Sequence, residues 1–196
     1  MLLIIKIKSK NLRKFLTIWA ETVKTLRDLK KEFEIVENGN SFAENALIKA
    51  RTLAEVTKQP CLGEDSGLCL VSFHNWPGIY TKRAKGNLTN KQFNQLILDA
   101  MKEKKNRKCT FVSALAYVDP QKRVEKIFVS SIKGIISQKL IGKNDFGFDP
   151  IFYFPQLKKT YAQLTSQECE KNKISPRIQC LRKFLHWYKI LSIDGT

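Results

Sequence analysis

The strongest β signal in the chain lies at its centre. Residues 108–118 and 124–136 are rich in β-branched and aromatic side chains, and Asp119-Pro120-Gln121 stands between them. Two such runs around a turn-forming triplet read as a β-hairpin. Helical patterns lie on both sides. From Asn11 to Leu29, Phe15, Ile18, Trp19, Val23 and Leu26 recur at helical spacing. Ser41-Phe42-Ala43-Glu44 matches a capping box, Ser at the N-cap and Glu three residues on, which predicts a helix over 45–57. Further helices are expected at 89–103 and 175–191, the last with Ile178, Leu181, Leu185 and Tyr188 on one face. Strands are expected at 2–8, 33–36 and 151–154, with two short ones within 59–73 flanking a Glu64-Asp65-Ser66-Gly67 turn. Early alternation of strand and helix around a central hairpin predicts an α/β fold on a mixed sheet.

With 196 residues, 43% of them hydrophobic and twelve of them Phe, the chain has material for one good-sized domain or two small lobes sharing a core. Global disorder is excluded. No linker or repeat divides the chain, so residues 1–196 are expected to form one domain of two dependent lobes. No apolar run approaches the ~20 residues that span a bilayer. The apolar opening, Met1 to Ile7, is too short for a signal peptide. A soluble, cytoplasmic protein is expected. Five scattered cysteines argue against a disulfide framework. With only His74 and His186 available, a transition-metal site is not expected either.

A formal net charge of +17 attracts anions: nucleic acid, membrane surfaces or polyphosphates. Part of it is compositional, since Lys recurs throughout the sequence. The basic run 102–108 reads as a solvated helix end.

Against that background, Glu37, Glu44, Glu64 and Asp65 stand out as an acidic cluster. A hard cation such as Mg²⁺ takes carboxylate oxygens plus substrate phosphates. Glu44 is already explained by its cap. Ser9-Lys10-Asn11-Leu12-Arg13-Lys14 lies where a strand is expected to give way to a helix. Backbone N–H groups at such a junction bind phosphate, and Lys14 adds charge. Phe146-Gly147-Phe148-Asp149-Pro150 reads as a loop, although either Phe also suits a core.

Ser41-Phe42-Ala43-Glu44-Asn45-Ala46-Leu47-Ile48-Lys49-Ala50-Arg51 resembles a signature of the inosine triphosphate pyrophosphatase family. Glu64-Asp65-Ser66-Gly67-Leu68, Trp76-Pro77-Gly78-Ile79-Tyr80 and Gly147-Phe148-Asp149-Pro150-Ile151-Phe152 match in the same order. The stretch from Glu170 to Arg177 matches in part. The resemblance covers about residues 2 to 190. It implies an elongated mixed sheet with two α/β lobes, a nucleotide cleft between them, and a homodimer. The implied reaction is Mg²⁺-dependent hydrolysis of ITP, dITP or XTP to the monophosphate and pyrophosphate. Neither membranes nor nucleic acid are expected partners.

The resemblance also implies roles. Asp65 would accept the water proton and bind metal with Glu37. Lys49, Ser9, Asn11, Lys14 and Lys82 match phosphate-binding positions, and Ser66 lies beside the phosphates. Phe146, Gly147, Phe148, Asp149, Lys171 and Arg177 would meet the base, Phe146 by stacking. Three positions depart from the pattern. Thr17 stands for a Glu, Lys10 for a glycine of the phosphate loop, and Pro176 for a histidine. Proline has no N–H. One donor to the purine 6-keto oxygen is therefore lost, which predicts weaker discrimination against ATP. The alternatives implied are a pyrophosphatase of altered base specificity, or a degraded relative that only binds nucleotide or nucleic acid.

Overall fold

The computed structural model describes residues 2–6, 22–25, 35–143, 145–171 and 174–193. Ser9, Lys10, Asn11, Lys14 and Thr17 lie outside them, as does most of the helix expected over 11–29. Part of that helix is corrected. Thr22–Thr25 is a strand, β2, which pairs in parallel with β1 (Leu2–Lys6). Three of its four residues are β-branched, and the ladder with β1 satisfies an extended backbone there.

Helix α1 spans Phe42–Thr57. Ser41 is its N-cap and accepts from the Glu44 N–H at 3.1 Å. The reciprocal bond shifts by one residue, for Glu44 Oε2 accepts from the Asn40 N–H rather than from that of Ser41. Strand β3 follows at Cys61–Leu70 and pairs in parallel with β1. The two strands expected within 59–73 are thus one, and the Glu-Asp-Ser-Gly sequence is strand rather than turn. Nine of its ten residues are buried, so cover on both faces keeps it extended.

Short helix α2 is Thr81–Lys85, and α3 is Asn90–Ala100. The expected hairpin is β4 (Lys108–Asp119) and β5 (Val124–Ile136). Strands β6 (Phe152–Phe154) and β7 (Lys159–Thr160) pair antiparallel beyond β5. Helices α4 (Ser166–Lys171) and α5 (Pro176–Ile193) complete the chain. The sheet order is β2-β1-β3-β4-β5-β6-β7. Parallel and antiparallel pairs occur together, so the expected mixed α/β sheet is present. Of the run 33–36, residues 35 and 36 belong to no strand, and 33 and 34 lie outside the described residues.

The chain forms two compact units. The first holds 1–65, 113–130 and 176–196; the second holds 66–112 and 131–175. In the first, α5 lays Leu181 and Phe184 against Leu62, Leu115, Tyr117 and Phe128. A second cluster joins Ala46, Ala50 and Leu53 of α1 to Cys61, Ala114 and Ala116. The core of the second unit gathers Leu68, Phe93, Ile97, Phe148, Phe152 and Phe154. Cys61, Cys69, Cys109 and Cys180 are buried free thiols. Burial pushes Cys61 up to about 11 and Cys109 to about 12, so both stay protonated. Among the described residues no helix is long and apolar enough to cross a membrane.

Candidate active site

Small residues bring α1 against β3. A Cβ at Gly63 would lie 2.3 Å from the Ala46 carbonyl and 2.7 Å from the Ala50 nitrogen. Only glycine permits that approach, and Ala46 and Ala50 supply the matching helix face. Lys49, one residue before Ala50, is thereby carried to the strand beside Glu64 and Asp65.

Lys49 is buried and fully engaged. Its Nζ lies 2.7 Å from Asp65 Oδ1 and 2.7 Å from Glu37 Oε2, and donates to the Glu64 carbonyl at 3.3 Å. The second oxygen of Asp65 accepts from Asn45 Nδ2 at 3.4 Å. Asn45 in turn accepts from the Gly39 N–H through Oδ1 at 2.9 Å, which fixes the amide's orientation. One side chain therefore ties the segment carrying Glu37 to the carboxylate of Asp65. Glu64 points elsewhere. Its Oε1 accepts from Arg177 Nε at 2.9 Å and lies 3.5 Å from Ser113 Oγ. All these residues belong to the first unit.

Burial raises the Asp65 carboxyl above the usual range. Lys49 opposes the shift by charge and hydrogen bond, and the nearby Glu37 and Glu64 add to it. A carboxylate raised in this way is a stronger base than a solvated one. The convergence of Glu37 and Asp65 on one cation also fits a divalent metal. Their donors are hard oxygens, and a magnesium-type ion is held by one or two carboxylates plus water and phosphate. Among the described residues no group of three or more His, Cys, Asp or Glu side chains forms a closed metal cage.

The structure thus brings together Glu37, Lys49 and Asp65, and reaches Arg177 through Glu64. Asn45, Glu64 and Ser113 are the additional members. Asn45 lies within the Ser41–Arg51 signature, and its burial on the Lys49 face of α1 is the signal that marks it. Ser9, Lys10, Asn11 and Lys14 lie outside the described residues, and the remaining expected residues lie in the second unit. Ser66 follows Asp65 on β3, and Lys82 is exposed on α2. Lys171 ends α4. Phe146 is 43% exposed on its turn, whereas Phe148 is buried 5.9 Å from Phe93. The Phe148 ring is therefore core. Gly147 between them has φ 58°, a conformation that favours glycine. Asp149 donates its N–H to the Phe146 carbonyl and accepts from the Ala162 N–H. Pro176 opens α5, where a missing N–H is harmless to the helix.

The profile of the Ham1 family matches residues 6–187. The chain belongs to that family. A dITP/XTP pyrophosphatase of Leptospira interrogans is 40% identical over 168 residues, 84% of this chain and 83% of the relative. One of Dictyoglomus thermophilum is 35% identical over 179 residues, covering 90% of this chain and 86% of the relative. The Ham1 protein of Staphylococcus aureus superposes with a TM-score of 0.86 at 27% identity, covering 96% of this chain and 98% of its own.

Proposed function

We propose that this chain is a nucleoside triphosphate pyrophosphatase that hydrolyses dITP, XTP and ITP to the monophosphate and pyrophosphate. The relatives named as dITP/XTP pyrophosphatases support the substrate class. One observation carries the chemistry: Lys49 Nζ stands 2.7 Å from both Glu37 and Asp65 in a buried cluster.

In this reading Asp65 orients a water molecule and takes its proton as the oxygen attacks phosphorus. The anhydride bond between the α- and β-phosphates breaks, and pyrophosphate leaves. Burial makes Asp65 a better acceptor, and the Asn45 amide holds its second oxygen in place. Lys49 keeps the two carboxylates close without mutual repulsion, and its charge favours phosphates beside them. Glu37 and Asp65 would hold Mg²⁺, which when bound neutralises phosphate charge. Ser9, Asn11, Lys14, Ser66 and Lys82 contribute to the triphosphate, and Lys10 adds charge beside it. Phe146 stacks on the purine. The backbone of Gly147 and Phe148, with Asp149, Lys171 and Arg177, supplies polar contacts to the base.

The two units act as one domain. Every passage of the chain from one unit to the other occurs within β3, β4 or β5 or at the start of α5, so neither can be excised as a continuous piece. The family resemblance supports a cytoplasmic homodimer, which sedimentation of the purified protein tests. The function is tested by pyrophosphate release from ITP, XTP, dITP, ATP and GTP with and without Mg²⁺. Release from the first three that EDTA abolishes is the expected result. Metal-independent release, or none from any nucleotide, overturns the proposal.

A further inference from the structure

Two asparagines one turn apart on α3 hold the turn that carries Phe146, and we propose that Asn94, assisted by Asn90, is a positioning residue for purine recognition. Asn90 Nδ2 donates to the Asp145 carbonyl at 3.0 Å. Asn94 Nδ2 donates to the Gly147 carbonyl at 2.9 Å. These carbonyls flank Phe146 in the chain, so its backbone is fixed from both sides. Spacing of i, i+4 puts both asparagines on one face of the helix. Lys85 Nζ donates to Asn90 Oδ1 at 2.7 Å, which sets the direction of that amide.

Asn94 is fully buried, at 0% exposure, on the face of α3 that also buries Phe93, Ile97 and Leu98. Its Oδ1 has no hydrogen-bond partner among the described residues. A buried acceptor without a partner lowers stability, and a leucine of similar size would avoid that cost. Packing therefore does not account for an asparagine here; the bond to Gly147 does. Gly147 sits at φ 58°, and the peptide it contributes turns the chain between an exposed Phe146 and a buried Phe148. An exposed aromatic ring on a backbone held at both ends is a preformed platform for a planar base. Preorganisation of this kind lowers the entropy lost on binding and so acts on affinity rather than on the chemical step.

The inference rests on the reading that Phe146 stacks on the purine, and the test separates the two. Steady-state hydrolysis of ITP is measured for Asn94→Leu, Asn90→Ala, Phe146→Ala and the Asn94→Leu/Phe146→Ala double variant, with melting temperatures for each. Asn94→Leu is expected to raise KM for ITP about tenfold, equal to about 1.4 kcal/mol, with kcat nearly unchanged and a melting temperature equal or higher. Asn90→Ala, on a partly exposed residue, is expected to raise KM by a smaller factor without loss of fold. In the Phe146→Ala background the Asn94 substitution should add nothing further. Unchanged KM in Asn94→Leu and Asn90→Ala, while Phe146→Ala raises it, overturns the positioning role alone. Unchanged KM in Phe146→Ala overturns the stacking reading and the positioning role with it. A fall in kcat at constant KM, or a full Asn94 effect in the double variant, also overturns it.

Discussion

The Asp65 cluster and the Phe146 turn are built on opposite principles. Around Asp65 the described groups are buried or partly buried and held by several partners at once: Lys49 on one oxygen, Asn45 on the other, and Glu37 on the same lysine. Around Phe146 a half-exposed ring rides on a turn held by two bonds to its backbone, beneath which a buried amide oxygen stands unpaired. The first arrangement suits groups whose placement must not change while charge moves, since fixed dipoles stabilise a transition state without reorganising. The second suits recognition, where affinity can be adjusted without touching the chemistry. Substitutions in the Asp65 cluster should therefore act on kcat and on folding, and those at the Phe146 turn on KM.

The largest separation is expected from Asp65→Asn, which should lower kcat about 10²- to 10⁴-fold, the range of a general base, with KM for ITP little changed. Undiminished turnover would remove Asp65 from the mechanism. Lys49→Met should show most clearly in urea unfolding. It leaves the buried Asp65 and the partly buried Glu37 without their cation, and breaking a buried pair such as Lys49–Asp65 costs about 3–5 kcal/mol; an unshifted midpoint would mean that the cluster is less constrained than its geometry indicates. Asn45→Ala should lower kcat about 10- to 100-fold, the usual effect of losing a partner that orients a metal-binding carboxylate. A change confined to KM would erase the contrast between the two regions.

A further test uses pH. Burial raises the folded-state pKa of Asp65, so its contribution to stability is fully present below the unfolded value and is lost as pH rises through the folded one. Metal-free Asp65→Asn should then melt no lower than the parent at pH 7.5, and the difference should shrink as the pH falls towards the usual carboxylate range. A variant that melts lower at neutral pH, with a gap that widens on acidification, would contradict the shift. The smallest effect is expected at Pro176. Restoring a donor with Pro176→His should raise the ITP-to-ATP preference by about two- to tenfold, the net worth of one hydrogen bond. An equal preference in both variants would show that base selection lies elsewhere, with the Phe146 turn the first place to look.

Much of this was legible without coordinates. The hairpin 108–136, the capped helix beginning near Ser41 and the final helix were expected close to where they stand, because long periodic runs and caps are local signals. Glu37, Lys49 and Asp65 were expected as site residues from matched stretches of sequence. The errors arose where local pattern met tertiary cover. Thr22–Thr25 carries a helical spacing in Val23 but pairs as strand β2 beside β1. Glu64-Asp65-Ser66-Gly67 has the composition of a turn but lies inside a strand buried on both faces. Phe146 and Phe148 look equivalent in sequence, yet one is exposed and the other is core.

Sequence alone thus determined the mixed α/β class and the family, and it singled out the carboxylates and lysine of the proposed site, since these rest on residue type, order and short-range spacing. Tertiary structure decided the rest. It showed that Gly63 lets α1 approach β3, so that Lys49 reaches Asp65 and Glu37 together. It showed that Asn45 ties the Gly39 backbone to Asp65, that Glu64 pairs with Arg177, and that Asn94 spends a buried amide on the Phe146 turn. Each of these joins residues far apart in the chain, and a hydrogen bond depends on distance and direction, which residue order does not encode.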